Sequence, residues 1–284
     1  MKSLRTIGLM GLVLLTAACS QAAFGIANLP AYFKGERIAN VSYGPEPWRK
    51  LDIYLPKDGA KNSDVVVFFH GGRWTSGTKE DYRFAGLALA EKNFLVLIPD
   101  YRKYPSVKFP AFMEDGAAAI AWAHEHIAEY GGNPSRLHVA GHSSGAHIGA
   151  LLAADPAYGA KKFIKSFAGL AGPYDFTPEA PDVIDIFGPP ENYPNMQVTN
   201  FIKGDEPPML LIHGQKDDVV ELYNVERLEK RIKEKGGQVK VILYPEGTHV
   251  NLASALSWAG PDLPVAEDMA GFFREGDHHG YSAK

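Results

Sequence analysis

Apolar residues gather along this chain in short runs, separated by longer stretches that are apolar on one face only. Trp48 to Leu55 alternates as a half-buried strand, whereas Val65 to Phe69 and Phe94 to Ile98 are uninterrupted apolar runs. Runs of that kind suit strands covered on both faces. Leu137 to Ala140, Phe163 to Leu170, Met209 to Ile212 and Val239 to Tyr244 continue the series. Between them the spacing predicts helices over Tyr82 to Lys92, Ala111 to Tyr130, Ala146 to Ala154 and Leu222 to Lys235. In the last of these, Leu222, Val225, Leu228 and Ile232 share one face, and Gly236-Gly237 ends it. Strand and helix in alternation predict an α/β protein: a mostly parallel central sheet with helices on both faces, because parallel neighbours need long crossovers. Ligands of such sheets bind beyond the carboxyl ends of the strands, so chemistry is expected just after a strand.

One segment breaks the rhythm. Residues 173–208 carry Pro178, Pro181, Pro189, Pro190 and Pro194 beside Tyr174, Phe176, Phe187, Tyr193 and Phe201, a mixture that will not form one long helix. It is read as a lid-like insertion that excludes water from the site, the alternative being a passive surface excursion. The expected division is a targeting segment over 1–18, a lead-in over 19–47, one catalytic domain over 48–276 and a tail over 277–284.

The 284 residues are 45% hydrophobic and 22% charged, the balance of a globular protein. A formal charge of −4 gives no broad basic field, so no nucleic-acid partner is expected. Lys2 and Arg5 precede an apolar run from Ile7 to Leu15, too short to span a bilayer, and the small residues Thr16, Ala17 and Ala18 lead to Cys19. The stretch Leu15-Thr16-Ala17-Ala18-Cys19 resembles a bacterial lipoprotein box, which implies export, lipidation of Cys19 and a membrane anchor as the chain's only contact with lipid; the alternative is ordinary cleavage near Ala22. Cys19 is the only cysteine, so no intramolecular disulfide can form.

Leu137 to His147 reads as a strand, then Gly141-His142-Ser143-Ser144-Gly145, then a helix. This is the pattern of a nucleophile elbow, in which the serine takes a strained backbone and only small residues at Gly141 and Gly145 let strand and helix approach. Ser143 is the expected nucleophile. A hydroxyl at neutral pH needs a base, and the base needs a group to fix its tautomer. Both follow in order: His213-Gly214-Gln215-Lys216-Asp217-Asp218 after the strand at 209–212, and Pro245-Glu246-Gly247-Thr248-His249 after the strand at 239–244. His249 is the expected base, and Asp217 the expected acid, with Asp218 its adjacent competitor. His70-Gly71-Gly72-Arg73-Trp74 follows the strand at 65–69. Backbone N–H groups of Gly71, Gly72 and Arg73, with that of Ser144, are expected to form an oxyanion hole.

Trp74, His142 and Tyr174 lie beside these motifs and are expected to line the substrate pocket. His70 is expected to brace its loop, and His142 and His147 point in directions unsuited to a base. Asp100, Arg102 and Asp115 are read as forming a buried ion pair that holds a loop near the site. His278-His279 has no third ligand, so no metal is expected, and no cofactor is required.

With these residues the chain resembles carboxylesterases of the α/β-hydrolase fold, of the hormone-sensitive-lipase-like and feruloyl-esterase-like kinds. Leu51-Asp52-Ile53-Tyr54-Leu55-Pro56 and Asp100-Tyr101-Arg102 are further similarities. The resemblance implies ester hydrolysis through an acyl-enzyme on Ser143, on short acyl esters or esterified polysaccharides. The loop reads HGGRW where many lipase-like relatives have HGGG, which is similar to kynurenine formamidases and adds a formamide as a rival substrate. A third possibility is a non-catalytic binding protein on the same scaffold.

Overall fold

A computed structural model describes residues 23–29 and 34–278, with side chains through Glu275. The expected targeting segment, Cys19 and residues 279–284 of the tail lie outside the described residues.

Among the described residues eight strands form one sheet: β1 (Glu36–Ser42), β2 (Lys50–Leu55), β3 (Ser63–Phe69), β4 (Leu95–Pro99), β5 (Gly132–His142), β6 (Ser166–Leu170), β7 (Met209–Gly214) and β8 (Val239–Tyr244), in the order β1-β2-β4-β3-β5-β6-β7-β8. β2 runs antiparallel to both its neighbours, and every other pair is parallel. Among the described residues the helices that pack on it after β1 are α1 (Arg83–Glu91), α2 (Ala111–His126), α3 (Ser144–Ala154), α4 (Pro181–Phe187), α5 (Tyr223–Glu234), α6 (His249–Ser254) and α7 (Val265–His278).

Period-two alternation along the central strands sends successive side chains to opposite faces. Val65, Val67 and Phe69 of β3, with Val139 and Leu211, meet Phe112 and Ile120 of α2, Ile148 and Leu152 of α3 and Leu228 and Ile232 of α5. Val66 and Phe68, with Val96, Leu170 and Ile212, meet Phe84 and Leu89 of α1, Leu252 of α6 and Met269 and Phe273 of α7. The sheet is covered on both sides, and so its central strands read as continuous apolar runs.

Two elements are missing from the sequence reading. β1 lies inside the stretch 19–47 expected as a lead-in; it is an edge strand whose residues are mostly exposed and whose register with β2 shifts between Ile38 and Val41, so no alternation marked it. Helix α7 was not expected, although Val265, Met269 and Phe273 share a buried stripe on it. Residues 173–208 hold α4 and two short 3₁₀ turns at Pro190–Asn195 and Val198–Phe201. They are fastened to the scaffold: Val183, Ile186, Phe187, Met196, Val198 and Ile202 are buried, and Asp175 N–H donates to Asn224 at 3.0 Å.

Candidate active site

Ser143 stands between β5 and α3 with φ 53° and ψ −123°, a left-handed conformation held only where the surroundings enforce it. The two glycines of the motif show why. A Cβ on Gly141 would meet the backbone of Gly145, and one on Gly145 would collide with the carbonyl oxygens of Phe69 and His70. The elbow therefore touches the end of β3, and the loop after β3 lies against the start of α3.

Two more glycines bring the other strand ends together. A Cβ on Gly214 would collide with the Gly247 carbonyl, and Lys216 N–H donates to that carbonyl at 2.9 Å. The loops after β7 and β8 are thus stitched side by side. One carries Asp217, the other His249.

The resulting contacts form a chain. Asp217 Oδ2 accepts from His249 Nδ1–H at 2.9 Å, which leaves Nε2 to accept the Ser143 hydroxyl at 2.9 Å. The Asp217 side chain is fully buried, and its Oδ1 accepts from the N–H groups of Val219 and Val220, each at 2.9 Å. Burial pushes the Asp217 carboxyl up, but the His249 hydrogen bond and charge together with those two N–H groups outweigh it and hold it below the usual carboxylate range. Asp218 is exposed. His213 Nε2–H donates to Val220 O at 3.0 Å and lies 3.8 Å from Asp217, bracing the acid loop from below.

On the other side of His249 is a contact that sequence reasoning missed. His142 Nε2–H donates to the carbonyl of His249 at 3.0 Å, and its Nδ1 accepts from the Tyr82 hydroxyl at 2.7 Å. Burial, reinforced by the neighbouring His249, lowers the His142 pKa to about 3, so the ring is neutral and this tautomer is fixed. The variable residue before the serine thus holds the backbone of the histidine that faces it. The proximity of His142 to Ser143 was visible in the sequence; Tyr82, sixty residues away along the chain, gave no signal.

The loop after β3 has its own geometry. Gly72 has φ +131° and a Cβ there would collide with Ser76 O, while Arg73 and Trp74 follow at φ 57° and 60°. Among the described residues, no hydrogen bond occupies the N–H of Gly72 or Arg73, and Ser144, as the first residue of α3, has no intrahelical acceptor for its own. Gly71 packs against His142: a Cβ there would lie 3.0 Å from its Nδ1. His70 braces this loop through Nδ1–H to Gly71 O at 2.8 Å, and stacks on Tyr101 at 4.4 Å.

The three residues expected to line the substrate pocket are all buried. His142 and Tyr174 are 3% and 0% exposed, and their rings are enclosed by protein; His142 backs the triad, and Tyr174 packs edge-on to Phe167. Trp74 is 4% exposed, stacked on Phe176 with ring centroids 5.5 Å apart and edge-on to Phe187 and His147, so it joins the 173–208 segment to the loop after β3. Arg73 is held by two 3.0 Å hydrogen bonds to Asp182 of α4, so its charge is engaged within the protein. Of the residues expected to form a buried ion pair, Arg102 grips the buried Asp115 at 2.7 and 3.0 Å, with Arg49 3.5 Å from the same carboxylate, while Asp100 stands apart, accepting from Lys79 N–H and facing His70 at 3.6 Å. Among the described residues no group of three or more His, Cys, Asp or Glu is placed to hold a metal ion.

A mostly parallel eight-stranded sheet with a serine on a strand-to-helix elbow, and a histidine and a carboxylate in the loops after the last two strands, defines an α/β-hydrolase. The chain has the α/β-hydrolase fold, and a profile of the BD-FAE family matches residues 51–191. It is 28% identical to a probable isoprenylcysteine α-carbonyl methylesterase, ICMEL1, of Arabidopsis thaliana, over 75% of this chain and 51% of that one. It is 30% identical to esterase LipC of Mycobacterium tuberculosis, over 68% of this chain and 54% of that one. This chain thus spans about half the length of these relatives. Among solved structures it resembles an inhibited esterase B from Lactobacillus rhamnosis, with a TM-score of 0.79, 21% identity and 96% coverage of both chains. It also resembles a truncated carbohydrate esterase from gut microbiota, with a TM-score of 0.73, 22% identity and 87% and 100% coverage.

Proposed function

We propose that this protein is a serine carboxylic-ester hydrolase. The observation that carries the proposal is the unbroken chain of two 2.9 Å hydrogen bonds from the Asp217 carboxylate through His249 to the Ser143 hydroxyl. Ser143 attacks the ester carbonyl as His249 takes its proton. The free N–H groups of Gly72, Arg73 and Ser144, with Gly71 shaping the loop, receive the oxygen that becomes negative. His249 then protonates the departing alcohol, and in the second half it activates the water that hydrolyses the acyl-enzyme. Asp217 remains ionised throughout and steadies the imidazolium.

The substrates are short acyl esters or esterified polysaccharides, consistent with relatives whose names describe methylesterases, esterases and a carbohydrate esterase. The 173–208 segment caps the catalytic end and supplies its apolar wall through Phe176 and Phe187. The N-terminal sequence supports export and attachment to a membrane through a lipid on Cys19, which mass spectrometry of the mature N-terminus tests.

A fluorophosphonate probe is expected to label the native protein and not Ser143→Ala; equal labelling of both would remove Ser143 as the nucleophile and revive a non-catalytic role. A panel of p-nitrophenyl esters assayed beside N-formylkynurenine is expected to show turnover of the esters. Preference for the formamide would replace the esterase reading with a formamidase one.

A further inference from the structure

Three apolar side chains stand out of the surface together: Ile26 is 58% exposed, Leu29 56% and Trp258 75%. They are not scattered. Residues 23–28 form a helical segment whose Ala27 carbonyl accepts from Ser257 Oγ at 2.7 Å, and Ala27 and Trp258 wall one groove, of about 80 Å³, with Leu87, Ala88 and Leu256. The segment is firmly seated. Asn28 donates to the carbonyls of Glu80 and Asp81 and accepts from Phe84 N–H, and Phe24 packs between Tyr82 and Phe84. A patch this apolar on a rigid mount needs an occupant.

The chain length on its N-terminal side says which. Only four peptide units separate Cys19 from Ala23, and an extended chain covers at most about 3.6 Å per residue, so a lipid on Cys19 brings residue 23 within about 14 Å of the point where it enters the bilayer. We propose that the face formed by Ile26, Leu29 and Trp258 is the seat on which the protein rests on that bilayer, a proposal that stands on the lipidated reading of Cys19. An indole beside aliphatic side chains suits the boundary between headgroups and acyl chains. The groove's rim carries one cation and one anion, Lys34 and Glu91, so the seat needs no anionic lipid. It also fixes orientation. Phe24 lies edge-on to His142 with ring centroids 6.1 Å apart, and His142 lies 4.8 Å from the His249 ring, so the seated face adjoins the catalytic histidine.

The test uses the full chain purified in its mature form, with the mass of its N-terminus measured on the same sample. It is reconstituted in phosphatidylcholine vesicles with and without bromine on the acyl chains. Bromine-dependent loss of tryptophan emission is expected, and Trp258→Phe is expected to abolish most of it. Lipid on Cys19, with Trp258 still open to aqueous iodide and indifferent to bromine, overturns the seat and leaves the anchor intact. That outcome fits a soluble protein partner for the patch. An unmodified Cys19 overturns the anchor and the seat together. Hydrolysis of soluble p-nitrophenyl acetate is unchanged by Trp258→Phe in every case, which keeps this test apart from that of the esterase reading.

Discussion

The Ser143 hydroxyl has no substitute within reach: Ser144 is buried at the start of α3 and is not the residue that His249 faces. Ser143→Ala is therefore expected to lower kcat by roughly 10⁴-fold or more, leaving the residual rate that an oxyanion hole and binding supply. His142 acts at one remove, as a positioning residue, through the His249 carbonyl. Truncating it in His142→Ala frees the peptide that aims the base, and a misplacement of about 1 Å costs on the order of 10²-fold, so kcat is expected to fall by about that factor with KM little changed. Tyr82→Phe deletes one hydrogen bond from the same relay, worth about 1 kcal/mol, and is expected to cost about fivefold. His142→Gln, which keeps an N–H donor, is expected to recover most of the loss. Steady-state kinetics of the three variants check this, and equal losses in Ala and Gln would show that the ring serves packing alone.

At the scale of elements, the strained turn depends on two close approaches, and the glycine at the helix side is the more exacting. Gly145→Ala would push α3 away from the carbonyls that end β3, parting the elbow from the loop whose N–H groups face it. A clash with backbone cannot be relieved by a rotamer, so overpacking of about 1–3 kcal/mol and a near-complete loss of turnover are expected together, measured by thermal unfolding and by ester hydrolysis. An active, fully stable variant would show that the elbow tolerates a wider gap. Steric needs of this kind are what made the site legible: Gly-x-Ser-x-Gly, the glycine pair after β3, and a carboxylate and a histidine each following a strand are local patterns that reflect local sterics and charge. The core strands were legible because burial on both faces writes itself as runs such as Val65 to Phe69. Apart from α7, whose apolar stripe at Val265, Met269 and Phe273 is local, what escaped had no local signature. β1 shows its exposed side to solvent and bends at a bulge; the relay from Tyr82 through His142 exists only after the fold brings the residue that precedes α1 to the end of β5. The fold of residues 173–208 depends on partners elsewhere, such as Arg73 for Asp182 and His147 Nε2–H for Met196 O. The surroundings of Trp74 and Tyr174 were illegible for the same reason, since nearness in sequence to a motif says nothing about which way a ring turns.

Over the whole molecule, burying imidazoles behind the site makes stability depend on acid in a predictable direction. His142 and His147 are enclosed, and desolvation lowers their pKa values to about 3 and about 4, with His213 lowered for the same cause. The unfolded chain takes up protons on these rings below a pKa of about 6.5, whereas the folded chain resists doing so until far lower, so the unfolded state binds more protons throughout that window and stability falls as pH drops through it. At pH 5 each of the two most shifted rings is expected to cost about 2 kcal/mol relative to neutral pH, a fall of the unfolding midpoint on the order of 10 °C for a domain of this size. Asp217 and Asp100 act in the same sense over a lower range. Burial raises both, their histidine partners and N–H donors outweigh it, and the stability their depressed pKa values confer is lost as pH falls below about 4. The histidine window is separable from the carboxylate window by substitution. His147→Gln can keep the hydrogen bond to Met196 O while removing the titration, so its midpoint is expected to decline less steeply than the native one between pH 6.5 and 5, and to rejoin the native slope below pH 4. Calorimetry across that range reads the difference directly, and parallel slopes for the two proteins would place the acid sensitivity outside this ring.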